Sequence, residues 1–230
     1  MAVAEYRIRR SQRARRVRVS VDADGSVLVT LPPRAPERAA AEAVHELAPW
    51  IARRRRLLAR VAAEVARPAG TVPYLGRDLT LVPDPGRERV HRRRDDDGVL
   101  LVPAGDPSAA LERFYRRAAR TEVTERLEAA TARAGTRYYG LTIRGQRTRW
   151  ASCSSEGRMS FNWRLLLAPP AILDYVVEHE VCHLEVMDHS TRFWDLLGSR
   201  VPDWRTHAAW LRRYGSALVL GVESTRRSAW

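Results

Sequence analysis

Half of the histidines in this chain stand within eleven positions. The segment His179-Glu180-Val181-Cys182-His183-Leu184-Glu185-Val186-Met187-Asp188-His189 holds three of the six. On a helix, residues four apart lie one turn along the axis and about 40° around it, so the imidazoles of His179 and His183 can meet at one metal ion. Glu180, offset by a single residue, can reach a water held by that ion without ligating it. This is the mechanical content of H-E-x-x-H: two zinc ligands and a general base. With 6 His and 15 Glu in 230 residues, chance supplies roughly 0.01 such matches, so the motif is specific.

Zinc enzymes commonly use three protein ligands and leave one position open. His189 is the natural third. In an unbroken helix it would lie about 15 Å from His179 along the axis. The chain must therefore turn near Met187-Asp188, and Asp tolerates such turns. One Zn2+ held by His179, His183 and His189, with Glu180 as the catalytic base, is the expected site. Cys182 and Cys153 read as small buried hydrophobes rather than ligands, because a site closed by Cys would have no open position. Glu185 and Asp188 are either acceptors for the imidazole N–H groups or solvated carboxylates.

The elements that must position these groups follow from periodicity. Pro169-Pro170 suits a helix start. Beyond it, Ile172, Leu173, Val176, Val177, Val181 and Leu184 form one apolar face, predicting a helix to about Met187. Met159, Phe161 and Trp163 alternate with Ser160 and Asn162 as in a strand, and Leu141-Thr142-Ile143 is a second strand signal. Trp150 and Trp163 are expected in the core. A long amphipathic helix is predicted from about Pro107 to Ala134, with Leu111, Phe114, Tyr115, Ala118, Val123 and Leu127 inward. Shorter helices are expected at about 191–198 and 204–214. Toward the N-terminus, Val17, Val19 and Val21 alternate, Asp24-Gly25 supplies a hairpin turn, and Val27, Val29 and Leu31 resume. A helical stretch covers about 36–66 with a possible interruption at Pro49, and a β-rich stretch covers about 72–102. The expected fold class is α+β: an N-terminal β-rich portion with a helix (residues 1–105), then a zincin-like portion carrying the H-E-x-x-H helix (residues 106–230).

A wider set of residues resembles the YgjP-like metallopeptidase family, which is related to the SprT-like zinc peptidases. The resemblance rests on Arg149-Trp150-Ala151-Ser152-Cys153, Phe161-Asn162-Trp163-Arg164-Leu165, Ala168-Pro169-Pro170, Asp174 through Leu184, and Asp188-His189-Ser190 through Phe193-Trp194. Tyr74-Leu75-Gly76-Arg77, Phe114-Tyr115 and Pro202-Asp203-Trp204 also fall in the expected order. It implies metal ligation by His179, His183 and His189, catalysis by Glu180, and a peptide or protein substrate. It also suggests that the strand around Asn162 aligns the substrate backbone; a plain packing strand is the equal alternative. Ala151 stands where the family usually has Gly, and Val181 where it commonly has Leu. Val186 occupies the place of the Gly that helps other zinc peptidases with this spacing turn toward their third His.

Charge and composition bound the alternatives. All 40 cations are Arg, against 27 acidic residues, for a net charge of +13. Such a composition follows from GC-rich codons as readily as from a polyanion partner. Two other readings are nevertheless open. One is a metal-dependent nucleotide phosphohydrolase on the same site, with Arg147, Arg149 and Arg164 near the substrate. The other is a nucleic-acid-associated protein, with an Arg9–Arg18 strand and an Arg53–Arg56 helix as contact surfaces. Four consecutive cations surround a helix, so at least one of Arg53–Arg56 must face the protein or an anionic partner. No apolar run approaches the ~18 residues that span a bilayer, and the first residues lack a signal-peptide pattern. With only two Cys, the expectation is a soluble, cytoplasmic protein that binds no membrane.

Overall fold

The computed structural model describes residues 5–93, 95–146 and 149–220. The architecture is α+β, with helices and three small sheets. The described residues form two compact units: 5–66 with Arg213–Ala217, and Arg67–Arg212 with 218–220.

The first unit contains β1 (Tyr6–Arg10), β2 (Arg18–Val21), β3 (Val27–Leu31), α1 (Arg38–Glu46) and α2 (Ala48–Glu64). Strand β3 is central, parallel to β1 and antiparallel to β2. The alternating valines form the β2–β3 hairpin, with Val19 opposite Val29. Gly25 sits at φ +79° in its turn, a conformation that costs glycine nothing. The helical stretch divides at Leu47, since Pro49 lies in the first turn of α2, where its missing N–H is not needed. Val27, Val29, Leu31, Ala40, Val44 and Ile51 form the core. The Arg9–Arg18 segment is not one strand: β1 ends at Arg10 and β2 starts at Arg18. Within Arg53–Arg56, Arg55 turns inward and its Nε donates to the Gly25 carbonyl at 2.8 Å.

The second unit contains β4 (Thr71–Tyr74), β5 (Arg77–Asp84), β6 (His91–Arg92), β7 (Val99–Pro103), α3 (Ser108–Ala134), β8 (Gly140–Arg144), β9 (Ala151–Cys153), β10 (Arg158–Asn162), a 3-10 turn (Trp163–Leu167), α4 (Pro170–Cys182), α5 (Thr191–Arg200) and all but the last two residues of α6 (Trp204–Tyr214). Strands β4–β7 form a sheet in the order β4-β5-β7-β6. The β4–β5 hairpin turns through Leu75 at φ +47° and Gly76 at φ +80°, the paired positive φ values of a tight two-residue turn. The Leu75 N–H donates to the Leu166 carbonyl at 2.7 Å, which ties this strained turn to the 3-10 turn. Val72, Leu79, Leu100 and Val102 share one core with α3 and α4. The first compact unit runs to Ala66, and β4–β7 belong to the second.

Helix α3 is the backbone of this unit. Leu111, Tyr115, Ala119, Val123 and Leu127 recur every four residues and are fully buried; Phe114 and Ala118, also expected inward, lie at the margin of the stripe. Two ion pairs lock α3 to α4: Arg126 Nε to Asp174 Oδ1 at 2.7 Å and Arg133 Nη2 to Glu178 Oε1 at 2.5 Å. In the remaining sheet β10 is central, parallel to β8 and antiparallel to β9. No helix among the described residues is long and apolar enough to cross a membrane.

Candidate metal centre

Helix α4 is apolar on most of its surface because it is surrounded. Ile172, Leu173, Val176, Val177 and Val181 are all buried. The helix ends at Cys182 rather than near Met187, and His183 is its C-terminal cap. Leu184 N–H bonds back to the Val181 carbonyl, while those of Glu185 and Val186 both bond to that of Cys182. This tight turn reverses the chain immediately after His183 and returns His189 to the helix. The Asp188 carboxylate then accepts from the Ser190 N–H at 3.0 Å, and α5 begins.

The three imidazoles meet. Each of His179, His183 and His189 offers a ring nitrogen, and these atoms lie within 4.8 Å of one another. Nε2 of His189 is 3.1 Å from Nε2 of His179. Two nitrogens bound to one tetrahedral Zn2+ at 2.0–2.1 Å stand about 3.3 Å apart, so the observed separation fits a shared ion. Nδ1–H of His183 donates to the Val186 carbonyl at 3.0 Å, which leaves the Nε2 lone pair free. The acceptor is thus a backbone carbonyl. Glu185 is instead paired with Arg200.

An aromatic wall holds the rings. Phe193, wholly buried, lies 4.9, 4.5 and 4.7 Å between ring centroids from His179, His183 and His189. Trp194 stacks on His189 at 5.4 Å and on Trp204 at 4.5 Å. Burial, reinforced by the neighbouring imidazoles, holds the pKa of His179 down to about 3; burial also lowers that of His183. Both are therefore neutral at pH 7, the state in which imidazole donates its lone pair to a metal.

Glu180 is 5% exposed. The Cys153 amide donates to its carboxylate, yet burial dominates and pushes its pKa up to about 7, with that amide and the Arg149 charge opposing. Oε2 of Glu180 is buried without a hydrogen-bond partner among the described residues, as is Nδ1 of His179. An unpaired buried carboxylate oxygen is costly in a purely structural setting and is what proton-transfer chemistry requires. The donor set and this orphaned oxygen both fit a metal centre.

Other sequence-derived candidates are placed as follows. Asn162 is buried, its Nδ2 donating to the carbonyls of Gln146 (2.6 Å) and Arg149 (3.4 Å) while its Oδ1 accepts from the Arg164 N–H. It therefore holds a loop. Its strand, β10, is paired on both sides, so the free sheet edge next to α4 belongs to β9. Arg164 Nη1 bonds to the Gly145 carbonyl at 2.9 Å, and its guanidinium covers Trp163. Arg149 lines a polar cavity with Arg144. Arg147 lies outside the described residues. Cys153 and Cys182 are free thiols, both raised to about 11 by burial, and neither joins the histidine cluster. Trp163 is in the core and Trp150 at its margin. The residues without a sequence-derived role are Phe193, Trp194, the Val186 carbonyl and the Cys153 amide. Only the placement of Phe193-Trp194 just past the third histidine signalled two of them.

The YgjP-like metallopeptidase domain matches residues 15–214 of the chain. The chain belongs to the YgjP-like metallopeptidase family. It is accordingly a metal-dependent hydrolase of peptidase type, and the match spans both compact units. Among solved structures, the crystal structure of the metallopeptidase zymogen of Pyrococcus abyssi abylysin is 21% identical, with a TM-score of 0.37 over 40% of this chain and 95% of that one. No curated protein matches the chain.

Proposed function

We propose that the protein is a zinc-dependent peptidase in which His179, His183 and His189 hold one Zn2+ and Glu180 is the general base. The observation that carries this reading is the convergence of three imidazoles beside a buried carboxylate with an unpaired oxygen. A Zn2+ bound there supplies Lewis acidity, polarising a carbonyl and making water nucleophilic near neutral pH. Glu180 accepts the proton of the attacking water and passes it to the leaving amine. The Cys153 amide keeps one carboxylate oxygen in place, so the other is free for that transfer. Edge strand β9 lies beside α4, and an extended peptide pairs along its outer side, apart from the Cys153 amide that Glu180 already holds. The two free thiols accord with action in a reducing, cytoplasmic compartment.

The test is Glu180→Gln. The variant keeps bound zinc, measured by elemental analysis, while turnover of peptide falls by about 10²–10⁴-fold or more. Full activity with the amide in place refutes the role of Glu180. Peptides and nucleoside triphosphates are assayed in parallel; release of phosphate or pyrophosphate without peptide cleavage would instead favour phosphate-ester hydrolysis at the same centre.

A further inference from the structure

The β8–β10–β9 sheet has one face in the core, carrying Met159 and Phe161. Side chains alternate along a strand, so Ser160 points to the opposite face. Its cross-strand partner Ser152 points the same way, as does Arg144, which is paired with Asn162 two residues further along β10. There Arg144, Gln146, Arg149, Ser152 and Ser160 line a polar cavity of about 350 Å3.

This cavity has the wrong charge balance to be left alone. Two guanidiniums share it, and neither makes an ion pair among the described residues. Elsewhere in the unit Arg126, Arg133, Arg158 and Arg200 all have carboxylate partners. The hydroxyls of Ser152 and Ser160 share one hydrogen bond at 2.9 Å. One proton satisfies that bond, which leaves the other hydroxyl free to donate into the cavity. The site is also held in shape, because buried Asn162 grips the carbonyls of both Gln146 and Arg149. Four donor groups on a fixed wall, with no acid among them, suit a planar anion held by paired guanidinium forks. Two cavity residues link to the proposed general base: Ser152 precedes Cys153, whose amide bonds Glu180, and the Arg149 charge acts on that same carboxyl.

We propose that Arg144 and Arg149, with the Ser152–Ser160 hydroxyl pair, form a subsite for a carboxylate of the substrate, selecting peptides that carry an acidic side chain or a free C-terminus near the cleaved bond. The proposal rests on the peptidase reading for the origin of the carboxylate, while the binding chemistry stands independently of it.

The test uses the zinc-loaded full-length chain and N-acetylated peptides. One pair differs by Glu against Gln beside the cleavable bond, both amidated; a third peptide carries Gln and a free C-terminal carboxylate. Dissociation constants are measured by calorimetry and cleavage by chromatography, on the wild type and on Arg144→Gln and Arg149→Gln. Both arginines are exposed, and matching thermal melts establish that the variants fold. The expected result is binding on the order of 10- to 100-fold tighter for one carboxylate peptide than for the amidated Gln peptide, a preference that collapses in both variants. Whether the Glu side chain or the free terminus gives the preference identifies the carboxylate. Equal binding of all three peptides overturns the proposal, as does a preference that survives both substitutions. So does binding of inorganic phosphate, lost in the variants, when no carboxylate peptide is preferred. Selective carboxylate binding with no cleavage of any peptide supports the subsite and refutes the peptidase reading; cleavage without preference does the reverse.

Discussion

Phe193→Ala tests whether the aromatic wall organises the metal centre or merely fills space. The ring is wholly buried and lies within 4.9 Å, between centroids, of all three imidazoles. Truncating a buried Phe removes its transfer energy and leaves a cavity, at a cost of about 3–5 kcal/mol. At about 2–4 °C per kcal/mol for a unit of this size, Tm falls by about 6–20 °C. That loss alone would follow from any core truncation. The distinguishing effect is on the metal: groups that orient ligating imidazoles contribute about 10- to 100-fold to metal affinity, equivalent to about 1.4–2.7 kcal/mol. Because bound metal stabilises the native state in proportion to RT ln(1 + [L]/Kd), the gain in Tm on adding zinc shrinks in the variant. Leu100→Ala, a comparably buried truncation in β7, serves as the control and should lose stability while keeping zinc affinity. Competition against a chelating dye measures Kd, and melts with and without zinc measure the linkage. Equal zinc affinity in Phe193→Ala and wild type would refute the positioning role of Phe193.

Three further outcomes follow from the same geometry. Asn162→Ala leaves the part-buried Gln146 carbonyl without its 2.6 Å donor, costing about 0.5–1.5 kcal/mol in chemical denaturation, and the preference for carboxylate peptides should weaken while zinc stays bound. Gly157→Ala puts a Cβ 2.9 Å from Tyr139 at φ +69°; a stability loss of about 1–2 kcal/mol or more, read as a lowered Tm, is expected, and an unchanged Tm would contradict the left-handed turn between β9 and β10. Removing the metal with a chelator should abolish turnover and lower Tm, with both restored by added zinc; activity that survives complete metal removal would contradict a metal-dependent mechanism.

The part of the fold legible in the sequence is the part set by local periodicity. The four-residue recurrence from Leu111 to Leu127, the valine alternation of β2–β3 and the apolar face of α4 each appear where spacing places them, because each element buries its own stripe. Strand β9 leaves no mark in the sequence because three residues, Ala151–Cys153, carry too short a pattern. It exists through pairing with β10, a contact made only in the folded chain. The H-E-x-x-H segment was legible as chemistry, and the need for a turn before His189 followed from helix rise. The early end of α4 did not, since Leu184 continues the apolar spacing while the backbone bonds tighten to Val181 and Cys182. Asn162 shows the limit most clearly: a strand that aligns substrate and a strand that packs read alike in sequence, and nothing in linear spacing shows that the three side-chain hydrogen bonds of Asn162 go to its own chain. The Arg144 side of the cavity was equally hidden, because nothing in linear spacing brings residue 144 beside 152 and 160.

X-ray absorption of the zinc-loaded protein tests the central claim most directly. Three imidazole nitrogens among light scatterers at about 2.0–2.1 Å, and no sulfur, are expected, with one imidazole fewer in His189→Ala. A sulfur shell near 2.3 Å, or a spectrum unchanged by His189→Ala, would contradict a centre built from His179, His183 and His189.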